Sequence, residues 1–326
     1  MRAAIVRALC LCAGVLALMW MPAGAADWPS KPVRIIVPFA AGGAADTQGR
    51  LYADALSAAF GKQFVVENRT GGGGLIAAEA VARAAPDGYT LIVSGIPIQV
   101  LGPAMNRNVD YDPMRDFTHI AYFGGTPNVL VVHPALDVKT YDEFIALARD
   151  RADGIDYVSA GVGTMGNWVA EYLAASEGIK LTHVAYKGGA TALLDLLAGR
   201  VKVGMLSSSS VAEHIRSGAL VPLAVSSAAR VPYFPDLPTL RELGHPDFVA
   251  TTWFSLSGPA GLPSDIVAAI NREVVKAMDR PQLRKAIERD AIETKPMTAA
   301  EVTQFSQAEI DRWTPLIKRM MTIQQR

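Results

Sequence analysis

Side chains that commonly carry catalysis or bind metals are few and scattered in this sequence. The two cysteines, Cys10 and Cys12, both lie near the N-terminus. Four consecutive serines at 207–210 lack the G-x-S-x-G pattern of a nucleophile elbow. The five histidines show no metal-site spacing such as H-x-x-x-H. They are His119, His133, His183, His214 and His245. The sequence therefore predicts a protein with no catalytic residues, no metal site and no cofactor.

Glycine-rich junctions that lead from an apolar segment into a helix start recur along the chain. They read PFAAGGAAD at 38–46, VSAGVGTMGN at 158–167 and VAYKGGAT at 184–191, and a fourth glycine run occupies 71–74. Glycine lets the backbone turn sharply and lets a ligand approach the amide groups. The first turn of a helix adds N–H groups without helical partners and a partial positive charge. A single junction could be an ordinary turn, but several together favour a site for a small anion. None has the spacing of a P-loop.

Short apolar segments alternate with amphipathic segments along most of the chain, which is typical of parallel sheets covered by helices on both faces. Residues 118–134 differ, because two extended runs are separated by Gly-Gly-Thr-Pro and no helix intervenes. This pattern suits a crossover between two lobes. A second strand–helix series follows the crossover, and the chain is mostly helical from 263 to 318.

We therefore predict an α/β protein of two lobes joined by two crossovers, with parallel-dominated sheets and a ligand cleft between the lobes. Domain I is discontinuous and comprises 26–125 and 230–326. Domain II comprises 126–229, and the second crossing is expected near 225–235. One large doubly wound domain is the alternative. The carboxyl ends of the strands in the two lobes would face each other, and ligands of such sheets bind at these ends.

The N-terminal segment, residues 1–25, has the pattern of a secretory signal peptide. Arg2 and Arg7 precede an apolar run over 8–21, and Ala-Gly-Ala at 23–25 suits cleavage. A membrane anchor is the weaker alternative, since a spanning helix needs about 20 apolar residues. Cleavage would remove both cysteines and place the protein in the periplasm. The 31 basic and 31 acidic residues form no basic segment, which argues against binding to nucleic acid.

The chain after residue 25 resembles the Bug family, the periplasmic substrate-binding components of tripartite tricarboxylate transporters. The resemblance covers nearly all of this part and rests on motifs that occur in the family order. They include WPSKPVRIIVPFAAGGAAD, VVENRTGGGG, AAPDGYTL, YVSAGVGT, HVAYKGGATALLDLLAGRV, PDLPTLRELG and SGPAGLPSDIV. The resemblance implies a hinged, type II-like periplasmic binding protein fold of the Venus flytrap kind. It also implies a small carboxylate ligand and transient contact with membrane transporter subunits. We expect a monomer.

The resemblance further implies which loops hold the ligand. The loop after the first strand contributes Phe39, Ala40, Gly42, Gly43, Ala44, Asp46 and Thr47. The facing loops contribute Gly161, Gly163, Thr164, Tyr186, Lys187, Gly188, Gly189, Ala190 and Thr191. We add Ser94, because it ends the third predicted strand. Asn167 stands where the family often has histidine.

Several of these side chains allow two interpretations from the sequence. Asp46 either caps its helix or accepts a hydrogen bond from a ligand ammonium or hydroxyl group. Thr164 and Thr191 either cap their helices or donate to the ligand. Lys187 is either solvated or in contact with the ligand.

Three functions are compatible with such a pocket. The first is a non-catalytic binding protein that captures a small carboxylate, either an organic acid or an amino acid, and delivers it to a transporter. The second is a ligand-presenting partner of a membrane sensor. The third is an exported enzyme acting on a small carboxylate, but the sequence shows no convergent base, nucleophile or metal cluster for it.

Overall fold

The computed structural model describes residues 28–105, 108–246, 248–290 and 292–324. The predicted signal peptide therefore lies outside the described residues. Within them, two lobes are built on one continuous sheet. In spatial order its strands are β2 (Phe64–Asn68), β1 (Val33–Val37), β3 (Thr90–Gly95), β9 (Thr251–Pro259), β4 (Phe117–Val132), β7 (Val203–Ser207), β5 (Ile155–Ser159) and β6 (Leu181–Ala185), with β8 (Val221–Val225) paired to β4. Among the described residues, no helix combines the length and the apolar character needed to cross a bilayer.

Lobe I begins with a βαβαβ series. Its elements are β1 (Val33–Val37), α1 (Ala44–Phe60), β2 (Phe64–Asn68), α2 (Leu75–Ala82) and β3 (Thr90–Gly95). Strand β1 pairs in parallel with both β2 and β3, as the continuous apolar runs predict. A π-helical turn, Pro97–Leu101, follows β3. The lobe is completed at the end of the chain by α7 (Ser264–Ala277), α8 (Pro281–Arg289) and α9 (Ala299–Gln324).

Lobe II holds the second strand–helix series. Its elements are α3 (Tyr141–Arg149), β5 (Ile155–Ser159), α4 (Met165–Glu177), β6 (Leu181–Ala185), α5 (Gly189–Leu197), β7 (Val203–Ser207), α6 (Ser208–Arg216) and β8 (Val221–Val225). Strand β5 pairs in parallel with β6 and β7. The carboxyl ends of these strands lead into α4, α5 and α6, so the helices of lobe II begin at one edge of its sheet.

Two long antiparallel strands connect the lobes. They are β4 (Phe117–Val132) and β9 (Thr251–Pro259). The sequence predicts two extended runs at 118–134, but the structure has one strand of 16 residues. The strand passes through Gly-Gly-Thr-Pro with register shifts near Tyr122 and a φ of 143° at Gly124. The irregularity bends the strand without ending it. Its first half pairs with β9, and its second half pairs with β7 and β8 of lobe II.

The predicted crossovers are therefore present, and the fold is the predicted two-lobed α/β arrangement with antiparallel pairing confined to the connecting strands. After β8, Val231, Phe234 and Leu237 pack in one core with Val211 and Val225 of lobe II. The chain enters the sheet of lobe I again only at Thr251, so the second crossing lies later in the chain than the predicted 225–235. The domain boundaries at 125 and 230 stay a prediction, since packing alone does not define separate domains.

The segment between α8 and α9 also contacts the strands that connect the lobes. Gly125 in β4 exchanges backbone hydrogen bonds of 2.9 and 2.8 Å with Glu293, which lies between α8 and α9. Tyr52 of α1 stacks on Phe123 and donates its hydroxyl proton to the Phe123 carbonyl at 3.0 Å. The bend in β4 is thus held by elements from the beginning and the end of the chain.

Candidate functional site

A cavity lies between the lobes. Lobe I, the crossover strands and lobe II all contribute to its walls. The lining residues are Phe39, Gly43, Ala44, Ala45, Pro97, Asn128, Ala160, Thr164, Gly166, Gly189, Met205, Leu206, Ser207, Ser210, Thr252 and Phe254. None of these side chains is charged. Most of the lining is apolar with a few polar groups, which is the composition of small-molecule pockets.

The N-terminal turns of four helices meet at this cavity. Gly43 and Ala44 belong to the start of α1, Thr164 to α4, Gly189 to α5 and Ser210 to α6. A helix cannot pair the N–H groups of its own first turn, and these groups carry the positive end of the helix dipole. The cavity is therefore electropositive without any cationic side chain in its lining, which is the arrangement that suits a small anion.

The glycine loops of the two lobes touch each other beside the cavity. Ala40 of lobe I donates its backbone N–H to the carbonyl of Lys187 in lobe II at 3.1 Å. A Cβ atom on Gly43 would lie 3.7 Å from the Gly189 nitrogen. At Gly188 the φ is 155°, and a Cβ atom would come within 3.0 Å of both the Ala40 nitrogen and its Cβ. Glycine at 188 thus permits the close approach of the lobes, which lie in a closed arrangement.

Asp46 holds the shape of the lobe I loop. The residue is buried, and one carboxylate oxygen accepts hydrogen bonds from the Gly42 N–H at 2.8 Å and from Arg50 Nε at 2.9 Å. The other oxygen accepts one from Asn68 Nδ2 at 2.8 Å. Burial by itself would raise the pKa of Asp46, but the hydrogen bonds from Arg50, Gly42 and Asn68 outweigh it and hold the pKa below its ordinary value. The carboxylate therefore acts as a charged internal brace of the loop.

Asn167 plays the corresponding part in lobe II. Its Oδ1 atom accepts a hydrogen bond from the Gly163 N–H at 3.1 Å. Its Nδ2 atom donates to the Tyr157 hydroxyl at 2.7 Å, and Glu171 Oε1 accepts from that same hydroxyl at 2.9 Å. The Asn167 side chain therefore holds the turn at Gly163 in place, and this turn positions the start of α4 at the cavity.

A serine–histidine pair supports the same turn. Ser159 is fully buried at the end of β5, and its Oγ lies 2.8 Å from His183 Nε2. The Gly161 N–H donates to Ser159 Oγ at 3.1 Å, and Thr164 Oγ1 donates to the Gly161 carbonyl at 2.7 Å. Burial lowers the pKa of His183, which favours the neutral ring. Because Ser159 has no access to the cavity, the pair is a loop support.

The predicted site residues fall into three groups. Those that line the cavity are Phe39, Gly43, Ala44, Thr164 and Gly189. Those at the contact between the lobes are Ala40, Gly42, Lys187, Gly188 and Ala190. Those outside the cavity lining are Asp46, Thr47, Ser94, Gly161, Gly163, Tyr186 and Thr191. A direct ligand contact for any of these residues stays a prediction.

Residues of the third group, outside the cavity lining, form hydrogen bonds within the protein. The Thr191 hydroxyl donates to the Gly188 carbonyl at 2.9 Å, and the Tyr186 hydroxyl donates to Asp195 at 2.5 Å, which raises the pKa of Tyr186 to about 12. Ser94 Oγ lies 2.8 Å from Ser255 Oγ and 2.7 Å from Ser257 Oγ in a buried polar cluster. The Lys187 side chain is exposed, and its carbonyl makes the contact between the lobes.

Several lining residues were not predicted. They are Ala45, Pro97, Asn128, Ala160, Gly166, Met205, Leu206, Ser207, Ser210, Thr252 and Phe254. Asn128 and Thr252 come from the crossover strands, where Asn128 Nδ2 donates to Thr252 Oγ1 at 3.1 Å. The serine run at 207–210 is the one usable signal, because a polar run that follows an apolar segment is typical of a loop or cleft rim. The other unpredicted lining residues lie mostly at the ends of strands and helices, and the tertiary fold decides which residues they contact.

The described residues contain no group of three histidine, cysteine, aspartate or glutamate side chains that could hold a metal ion. They do contain two α/β lobes, two crossover strands and an electropositive cavity between closed loops. This combination defines the class of two-lobed solute-binding proteins.

Sequence comparison identifies the family within this class. The family model described as the tripartite tricarboxylate transporter family receptor matches residues 49–321. Protein BugT from Bordetella pertussis is 33% identical over 299 residues, which cover 91% of this chain and 91% of BugT. The chain belongs to the tripartite tricarboxylate transporter receptor family, which includes the Bug proteins, as its motifs predict.

Solved structures of relatives have the same fold. The R. palustris protein Rpa4515, solved with adipate, superposes with a TM-score of 0.86 at 33% identity, covering 90% of this chain and 98% of that one. MatC from Rhodopseudomonas palustris, solved with bound malate, has a TM-score of 0.85 at 30% identity, covering 89% of this chain and all of MatC. Both relatives were thus solved with small carboxylates.

Proposed function

We propose that this protein is an exported, non-catalytic solute-binding protein. It captures a small carboxylate in the cleft between its lobes and delivers it to a tripartite tricarboxylate-type membrane transporter. The observation that carries the proposal is the meeting of four helix N-termini at one cavity whose lining has no charged side chain. Such a cavity stabilises a carboxylate through backbone N–H groups and helix dipoles.

The relatives support the carboxylate part of the proposal, since their structures hold adipate and malate. The absence of charged lining residues supports the non-catalytic part. Chemistry on a small acid needs a base, a nucleophile or a metal in contact with the ligand. The polar side chains of the described lining are amide or hydroxyl groups.

The binding step is tested by a thermal-shift screen of the purified protein against a panel of small organic acids and amino acids. A ligand present at 100 times its dissociation constant stabilises the native state by about 2.7 kcal/mol. The Gly43→Trp variant should lose the shift, because its side chain would project toward Gly189. Ala175→Trp, on the exposed surface of α4, is the matched control and should keep the shift. No shift with any compound would contradict the proposal.

The absence of catalysis is tested on the acid that binds. Proton NMR of that acid, incubated with the protein at equimolar concentration, should show no new species after a day. Delivery is tested by uptake of the labelled acid into cells that carry the transporter membrane subunits, with and without the binding protein. Uptake that is independent of the protein would contradict the transport role, even if binding is observed.

A further inference from the structure

We infer that Arg216 of lobe II is a positioning residue that binds the end of α8 in lobe I and thereby populates the closed arrangement before a ligand enters the cleft. The strands β4 and β9 join the lobes, and Arg216 adds a non-covalent connection outside these strands. Because Arg216 is not part of the cavity lining, its effect on closure is independent of which solute the cleft takes.

The guanidinium of Arg216 is held in place by groups of lobe II. Arg216 is the last residue of α6, and its Nη1 atom donates to Glu213 Oε2 at 2.6 Å. Its Cζ atom lies 3.9 Å from the ring centre of Tyr233. Tyr233 adjoins Phe234, which packs in the core of lobe II. An arginine fixed by a carboxylate and an aromatic ring loses little side-chain freedom when it makes one more hydrogen bond.

The acceptor of that further hydrogen bond belongs to lobe I. Arg216 Nη2 donates to the backbone carbonyl of Arg289 at 2.7 Å. Arg289 is the last residue of α8, which packs in the core of lobe I through Leu283. The last carbonyls of a helix have no partner within the helix and carry the negative end of its dipole. A guanidinium is therefore a favourable donor here, and the contact joins the two lobes.

Two further contacts connect the residues after α8 to the rest of the protein. Ser208, the first residue of α6, donates its hydroxyl proton to the Asp290 carbonyl at 3.2 Å. Gly125 exchanges backbone hydrogen bonds with Glu293. The Gly125 pair lies in the connecting strand β4, whereas the contacts of Ser208 and Arg216 lie on α6. We expect a rotation of the lobes about the connecting strands to keep the first pair and to separate the other two.

Helix α6 also contributes to the cavity. Ser210 in its first turn lines the cavity, as does Ser207 immediately before the helix. The contact of Arg216 therefore positions this wall of lobe II against lobe I. A binding-competent state that is already populated lowers the apparent dissociation constant of any ligand that requires closure. Loss of Arg216 should shift the equilibrium toward the open arrangement.

Closure is measured by double electron–electron resonance between two spin labels, one on each lobe. Suitable positions are Lys62, exposed after α1, and Ala175, exposed on α4. Both native cysteines lie in the predicted signal peptide, so the exported protein can be labelled at Lys62→Cys and Ala175→Cys. The closed population is the one at the distance that the structure gives for labels at these positions.

The measurement needs no ligand. In the protein without added solute, we expect an open and a closed population, with at least about 10% of molecules closed. Arg216→Ala should reduce the ratio of closed to open molecules about 10-fold, which corresponds to the loss of one hydrogen bond to a charged group. Arg216→Lys keeps a cationic donor without the planar fork and should restore part of the closed population.

Arg200→Ala is the matched control, because Arg200 pairs with Asp195 inside lobe II at 2.6 Å. This variant should leave the ratio unchanged. A role of Arg216 in the stability of lobe II alone would lower the free energy of unfolding in urea without changing the ratio of closed to open molecules.

Three results would overturn the inference. They are a parent protein with no closed population, a ratio in Arg216→Ala equal to that of the parent, and an equal fall of the ratio in Arg200→Ala. Each of them leaves the proposed carboxylate-binding function intact, since that function is tested by the thermal-shift screen and not by closure of the ligand-free protein.

Discussion

Asp46 and Asn167 occupy the same position in two different helices, one in each lobe. Each is the third residue of its helix and accepts a hydrogen bond from the N–H of the glycine four residues earlier, Gly42 at 2.8 Å and Gly163 at 3.1 Å. The residue four positions later differs in charge. It is Arg50 after Asp46 and Glu171 after Asn167. An acid is stabilised in the first junction, whereas a neutral amide avoids repulsion from Glu171 in the second.

This relationship predicts that Asn167→Asp destabilises the protein. The new carboxylate would face Glu171 and could no longer donate to the Tyr157 hydroxyl. We expect a loss of about 2 kcal/mol in the free energy of unfolding, measured by urea denaturation at pH 7. The double variant with Glu171→Gln should recover part of the loss. Equal stabilities of the single and double variants would refute the charge explanation.

Asp46→Asn should also destabilise the protein, for a different reason. The Asp46 oxygens accept from three donors, and an amide nitrogen in place of one oxygen would face a donor. We expect a loss of roughly 2 to 3 kcal/mol at pH 7. Because the pKa of Asp46 is lower in the folded state, its contribution is present at neutral pH. It is lost as the pH falls below the unfolded value of 3.8 through the folded one. Parent and variant should therefore converge in stability at low pH, which denaturation curves between pH 7 and pH 2.5 would check.

Gly188→Ala should weaken ligand binding by preventing full closure. The added Cβ atom would lie 3.0 Å from Ala40, and the φ of 155° is unfavourable for alanine. We expect at least a 10-fold increase in the dissociation constant, measured by calorimetry. We also expect a larger radius of gyration in solution scattering with ligand. Gly61→Ala is the matched control, because its φ of 65° is also positive but no atom lies within 4 Å of the new Cβ. An equal loss of affinity in both variants would show that general destabilisation is responsible.

Stability should fall between pH 6.5 and pH 4.5 because of His119. This residue is 3% exposed, and burial lowers its pKa to about 4. The unfolded chain therefore takes up the proton first as the pH falls, which favours unfolding. His119→Asn removes this titration and should flatten the pH dependence by on the order of 2 kcal/mol over the interval. His183, whose pKa burial also lowers, remains in both proteins, so the difference isolates His119. Parallel stability curves for the two proteins would contradict the assignment.

Local patterns in the sequence determined the elements and the type of site. The apolar run at 33–37 and the alternation around it predict β1, α1 and the parallel sheet, because burial on both faces requires continuous apolar strands. The glycine junctions predict helix starts facing a ligand, because glycine and a helix N-terminus act within a few residues of each other. These features depend on neighbours in sequence, so the sequence alone contains them.

Only the tertiary structure decided which groups line the cavity and which already form hydrogen bonds within the protein. Asn128 and Thr252 are 124 residues apart and meet because β4 and β9 pair where they connect the lobes. For Asp46 the sequence allows a helix cap or a ligand contact, and the structure adds a partner that neither interpretation includes, because Asn68, 22 residues later in β2, donates to its carboxylate. Long-range pairing of this kind is set by how the strands align and how the lobes close. Local patterns of residue types therefore do not predict long-range pairing.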